Sequence, residues 1–202
     1  EIFVAKLGPH QRWLWVSATI GPLHEEFETM RFGPQGEILL AGSISKGGVT
    51  FGSITTQHRG GFVAAIDQKG KWQWFKPIGR KNSNSGRISG VFKVSAIGMD
   101  KYGNLYVQGQ AVREVYVGPF TLQARFGQYD TLVARLNNTN RWDWATLATL
   151  QPDGLDKPMG MHVTPEGSVI YTGGSIQNTV GKQIYTAPRS KSYIYVSKNI
   201  FK

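Results

Sequence analysis

The chain has 202 residues, no cysteine, and 23 Lys and Arg against 13 Asp and Glu, for a formal net charge of +10. The lack of cysteine excludes disulfides and thiol chemistry, and no apolar run approaches the roughly 20 residues of a membrane-spanning helix. The charge bears on association and solubility rather than on fold.

Taken in chain order, the first landmark is Phe3-Val4-Ala5-Lys6-Leu7 followed by Trp13-x-Trp15. It returns as Phe62-Val63-Ala64-Ala65-Ile66 with Trp72-x-Trp74 and as Leu132-Val133-Ala134-Arg135-Leu136 with Trp142-x-Trp144, so all six tryptophans fall in these pairs. A partial fourth copy is Ile194-Tyr195-Val196-Ser197-Lys198. A second landmark places a turn glycine six residues before another glycine: Gly36/Gly42, Gly103/Gly109 and Gly167/Gly173. A third is "VTFGSIT" (49–55), "VYVGPFT" (115–121) and a degenerate "QIYTAPR" (183–189). Trp13 to Trp72 is 59 residues and Trp72 to Trp142 is 70. A recurring period of this size marks propellers, solenoids and arrays.

Within each copy the apolar period is two, which predicts strands, and Gly-Pro, Lys-Gly, Gly-Asn and Glu-Gly steps mark the turns between them. The predicted strands are 28–33, 37–44, 61–67 and 71–78, then 93–99, 104–111, 131–137 and 141–148, then 160–164, 168–173 and 193–199. One residue separates the tryptophans of each pair, which places both on the same side of a strand. The fold class expected is all-β: a β-propeller of four-stranded antiparallel blades, about three of them, in a single segment spanning 1–202 with units at 1–59, 60–129, 130–191 and a partial 192–202. Two opening strands, two full blades and three closing strands leave overlapping rather than complementary ends. The expectation is therefore an incomplete propeller, completed by further blades of the same or another chain.

At Tyr102-Gly103-Asn104-Leu105-Tyr106-Val107, Gly109, Val117-Gly118, Asp130-Thr131-Leu132-Val133-Ala134-Arg135-Leu136 and Trp142/Trp144 the chain resembles the bacterial seven-bladed β-propeller repeat proteins. The Asp that precedes the "FVAKL" strand in that family is present as Asp130 but is Gly60 and Ser192 elsewhere. The resemblance implies a propeller in a secreted or surface setting, and no catalytic residue.

Recurrence at one strand of every unit reads Trp13, Trp15, Trp72, Trp74, Trp142 and Trp144 as blade-to-blade packing rather than ligand platforms, and Gly36, Gly103 and Gly167 as turn residues. His10, His24, His58 and His162 lack metal-ligand spacing, the aspartates form no calcium loop, and no phosphate-binding glycine motif is present. Neither a metal nor an organic cofactor is expected. Glu25, Glu26 and Glu28 form the one acidic cluster, and Asn137-Asn138-Thr139 is a glycosylation sequon. Function is expected in the loops. The longer second unit owes much of its length to 78–90, where Arg80, Lys81 and Arg87 form a candidate contact surface, with Arg189 and Lys191 as a further basic pair. The leading expectation is a non-enzymatic scaffold at the cell surface, outside the cell or on a particle surface. It would bind a protein or a polyanion such as an acidic glycan or nucleic acid. A polysaccharide lyase or hydrolase with its site at the channel mouth, and a structural component of a viral particle or fibre, are the alternatives.

Overall fold

The computed structural model describes residues 1–22, 25–79, 91–124, 129–148, 157–175, 178–180, 183–185 and 193–199. Strands β1 (Phe3–Leu7) and β2 (Trp13–Ile20) form a hairpin that we call blade A. Blade B opens with β3 (Glu25–Phe32) and β4 (Ile38–Ile44). A short hairpin of β5 (Val49–Phe51) and β6 (Ile54–Thr56) intervenes before β7 (Gly60–Ile66) and β8 (Trp72–Gly79) complete the blade. Blade C repeats the plan: β9 (Val91–Met99), β10 (Leu105–Val112), a hairpin of β11 (Glu114–Val117) and β12 (Phe120–Gln123), then β13 (Asp130–Leu136) and β14 (Trp142–Ala148). Blade D holds β15 (Lys157–Val163), β16 (Val169–Ser175), the hairpin β17 (Asn178–Val180) and β18 (Gln183–Tyr185), and β19 (Tyr193–Asn199). Strand order within a blade follows the chain, β3-β4-β7-β8 and β9-β10-β13-β14, and every pairing is antiparallel. These are the four-stranded up-and-down blades of a β-propeller. Each sequence unit begins at the third strand of a blade, so the units and the blades are offset by half.

The core lies between blades. Side chains alternate across each sheet, and one apolar layer joins A to B (Ile2, Val4, Leu40, Phe51, Phe62, Ile66). A larger layer joins B to C (Leu39, Val63, Phe92, Val107, Val117, Leu132). A third joins C to D (Tyr106, Val133, Val163, Val169). The inner strands bulge at a fixed place: the register slips between Phe27 and Thr29, between Gln108 and Gly109, and between Pro158 and Gly160. The second glycine of each pair sits at this slip. A Cβ on Gly42 would lie 2.2 Å from the Glu26 carbonyl oxygen, and on Gly109 2.2 Å from that of Lys93.

The turns joining strands one to two and three to four share one geometry. Each is a type I turn followed by a left-handed residue: Gln11, Gly36, Gly70, Gly103, Asn140 and Gly167, with φ between 59° and 86°. The first residue of the turn stitches it where it has a side chain. Asp67 Oδ1 accepts from the N–H of Lys69 and Lys71, Asp100 Oδ1 from Tyr102 and Asn104, and Asn137 Oδ1 from Thr139 and Arg141.

In its first two copies the third sequence landmark folds as the intervening hairpin, and there it does not stay with its own blade. Hairpin β5–β6 pairs with β2 of blade A through Thr19↔Phe51 and Ile20↔Thr50. Hairpin β11–β12 pairs with β8 of blade B through Tyr116↔Gly79 and Val117↔Ile78. Each hairpin also covers the first tryptophan of its own blade: Gly52 lies over Trp72, and Gly118 over Trp142. Those indoles are 9% and 8% exposed, whereas Trp13, covered by no hairpin among the described residues, is 67% exposed.

The tryptophan pairs depart from the sequence expectation. The residue between them is bulged: Leu7↔Trp13 but Lys6↔Trp15, Ile66↔Trp72 but Ala65↔Trp74, and Leu136↔Trp142 but Arg135↔Trp144. The extra residue cancels the period of two, so the pair points to opposite faces rather than one. Trp72 joins the A–B layer and Trp74 the B–C layer, while Trp142 joins B–C and Trp144 C–D.

Candidate functional site

The two ends of the blades differ. One carries the uniform five-residue turns. The other carries the ends of β2, β4, β8 and β10 and the starts of β3, β7, β9 and β13, so every long connection leaves from it. The predicted basic residues Arg80, Lys81, Arg87, Arg189 and Lys191 belong to such connections and lie outside the described residues. Gly36, Gly103 and Gly167 are at the turn end, with φ of 78°, 80° and 86°.

Among the described residues, the shifted titratable groups are tied into structure. His58, at the loop end, is buried, and its Nε2 lies 3.0 and 3.2 Å from the carbonyl oxygens of Gly61 and Ile78. Burial lowers its pKa against the opposing pull of those two carbonyls, which favours the neutral ring, and two carbonyl partners call for Nε2–H as the donor. Glu26 and Glu28 of the acidic cluster both pair with Lys93 across the B–C interface, at 3.1 and 3.2 Å. These bonds hold the Lys93 ammonium above its usual range. Glu25 is turned away from them and pairs at 3.1 Å with the amino group of Glu1. Arg135 grips the bulged Asp143 through Nε and Nη2 at 3.0 and 2.7 Å and lies 6.0 Å from the Trp144 ring. That carboxylate is the main cause of the upward shift of the guanidinium. The Tyr106 hydroxyl donates to Asp100 Oδ2 at 3.2 Å, and burial raises its pKa. No group of three or more His, Asp or Glu that could hold a metal occurs among the described residues. No helix there is long and apolar enough to cross a membrane.

A groove of about 560 Å³ opens at the turn end between blades B and C. It is lined by apolar side chains that include Leu39, Met99 and Leu105, by Trp74, and by polar ones that include Gln68, Gln73 and Asn140. The homologous A–B junction holds a smaller groove of about 270 Å³, lined among others by Trp15, Gly36, Ile38 and Gln68. There Trp15 lies on the turn of blade B and its Nε1 donates to the Gln68 carbonyl at 2.8 Å. A Cβ on Gly70 would come within 2.8 Å of that indole. Blade C has Asn140 where blade B has Gly70, in the same left-handed conformation at φ 59°. A Cβ at that point stands in the way of an equally close approach by an indole. Trp74 lies in the B–C layer only partly buried, and its Nε1 makes no hydrogen bond with the described residues. The groove was not among the sequence-level candidates. The exchange of Gly70 for Asn140 at equivalent turn positions is legible in the sequence, but it has meaning only once the packing of Trp15 is known.

No protein-family model matches the chain, and no curated protein does. Among solved structures, the chain is similar to the Hadza microbial sialidase Hz136, with a TM-score of 0.47 at 12% identity over 76% of this chain and 33% of that one. The chain therefore spans about a third of the length of that protein.

Proposed function

We propose that the chain is a non-enzymatic scaffold of the seven-bladed propeller-repeat kind, acting at a cell or particle surface or outside the cell. It binds a protein or polyanionic partner, an acidic glycan or a nucleic acid, through the loop end of the blades. The observation that carries this reading is the asymmetry of the two ends. The turn end repeats one compact geometry and mixes both signs of charge (Glu37, Asp67, Lys69, Lys101, Arg141). The connections of the other end carry Arg80, Lys81, Arg87, Arg125, Arg189 and Lys191 against Asp153 and Asp156. Positive charge concentrated on variable loops over a repetitive frame attracts a negatively charged partner.

The test replaces Arg80, Lys81 and Arg87 together with Ser and follows retention on heparin–agarose. The triple variant elutes at clearly lower salt than the parent, with its thermal unfolding unchanged. Equal elution of the two would sink the reading.

A further inference from the structure

We propose that the groove between blades B and C is a binding site for a neutral saccharide, separate from the basic loop end. Its volume of about 560 Å³ lies within the range of about 300–1,000 Å³ typical of small-ligand sites. Its lining offers an indole whose partner turn carries a Cβ where that of Trp15 has none. Trp15 spends its ring face and its N–H on the neighbouring blade, whereas Trp74 keeps its N–H for a ligand. An indole face takes the apolar C–H side of a pyranose by dispersion, and its N–H takes a hydroxyl oxygen.

Two of the amides lining the groove are preset. Gln73 Nε2 is tied at 3.0 Å to Asp67 Oδ2 and at 3.2 Å to the Lys71 carbonyl, which leaves Oε1 as an acceptor. Gln68 Nε2 is tied at 2.8 Å to the Gln35 carbonyl, leaving its Oε1 likewise. The amide of Asn140 adds both a donor and an acceptor. Acceptors and donors lining the same groove as an aromatic ring suit hydroxyls, which do both at once. Charge selects among hydroxyl-rich ligands. Glu37 and Asp67 outnumber Lys69 on the lining, and bonds from the Lys71 and Lys69 amides hold Asp67 below the usual carboxylate range. An acidic sugar meets net repulsion here, and a neutral one does not.

The experiment titrates the full chain with chitotetraose, cellotetraose and maltotetraose, and separately with tetragalacturonate, following binding by calorimetry. At least one neutral tetrasaccharide binds, and tetragalacturonate binds more weakly than it does. Asn140→Gly lets Trp74 settle onto its turn as Trp15 does, so it weakens binding about tenfold or more while the unfolding midpoint holds or rises. Gln73→Ala weakens binding several-fold without changing the fold, and this second variant does not depend on the indole moving. The proposal is overturned if no neutral tetrasaccharide binds at millimolar concentration, if tetragalacturonate binds best, or if both variants bind like the parent.

Discussion

Replacing Phe51 by Ala tests whether the intervening hairpins hold neighbouring blades together. The Phe51 side chain has no exposed surface and packs against Phe62, Trp72 and Phe75 with ring centroids 5.3, 5.1 and 4.9 Å away. A buried phenylalanine withdraws on the order of 150–200 Å² from water, worth about 4–5 kcal/mol at roughly 25 cal/mol per Å². Part of that remains with the Ala methyl and part of the cavity collapses, so the expected loss is about 4 kcal/mol. The hairpin pairs with β2 of blade A at Thr19↔Phe51 and Ile20↔Thr50, so releasing its anchor exposes the edge of β2. Urea unfolding of parent and variant measures the first effect, and hydrogen exchange at the amides of β2 the second. Thr55→Ala is the control: its hydroxyl meets only that of Thr50, at 3.1 Å on the surface, and its loss costs about 0.5 kcal/mol or less. A Phe51→Ala cost below about 1 kcal/mol, or undiminished protection of β2, refutes the reasoning.

His58 makes stability depend on pH in a known direction. Its folded pKa lies below the unfolded value of 6.5, so below pH 6.5 the unfolded chain binds more protons. Its contribution is complete above that pH and is lost as the pH falls towards the folded value. Unfolding free energies across this window for the parent and for His58→Leu should differ in slope, the variant being flatter; parallel curves would contradict it. At Gly103, with φ of 80° and the Pro34 ring 3.2 Å from where a Cβ would stand, Ala should cost about 1–2 kcal/mol. Asn, which holds this conformation at position 140, should cost less, and a thermal melt that ranks Ala above Asn would count against the turn assignment.

The blades were legible because the repeat is carried by residues that face a neighbour identically in every copy. Predicted strands such as 37–44 and 131–137 fall within a residue of β4 and β13. The facing of the tryptophans was not legible. A strict alternation assumes an unbroken ladder, and nothing in Leu14, Gln73 or Asp143 as residue types announces a bulge. The motif around Gly52 and Gly118 was visible as a recurrence, but strands of three or four residues show no periodicity, and pairing across blades has no local signal. The groove was hidden for a related reason: it forms where side chains of two blades and their turns meet, and no local pattern in the sequence marks that meeting.

The crossing hairpins give the array a direction. Hairpin β5–β6 belongs by sequence to blade B and by hydrogen bonding to blade A, and β11–β12 stands in the same relation to C and B. Blades A, B and C therefore overlap like roof tiles, B gripping A and C gripping B. In a repeat protein whose stability is a sum over units and their nearest-neighbour junctions, this shifts weight from the units to the junctions. A shortened or permuted version cut at a blade boundary severs main-chain bonds and strips a hairpin from its neighbour's edge. Cuts placed to keep each hairpin with the edge it covers should yield the more stable pieces.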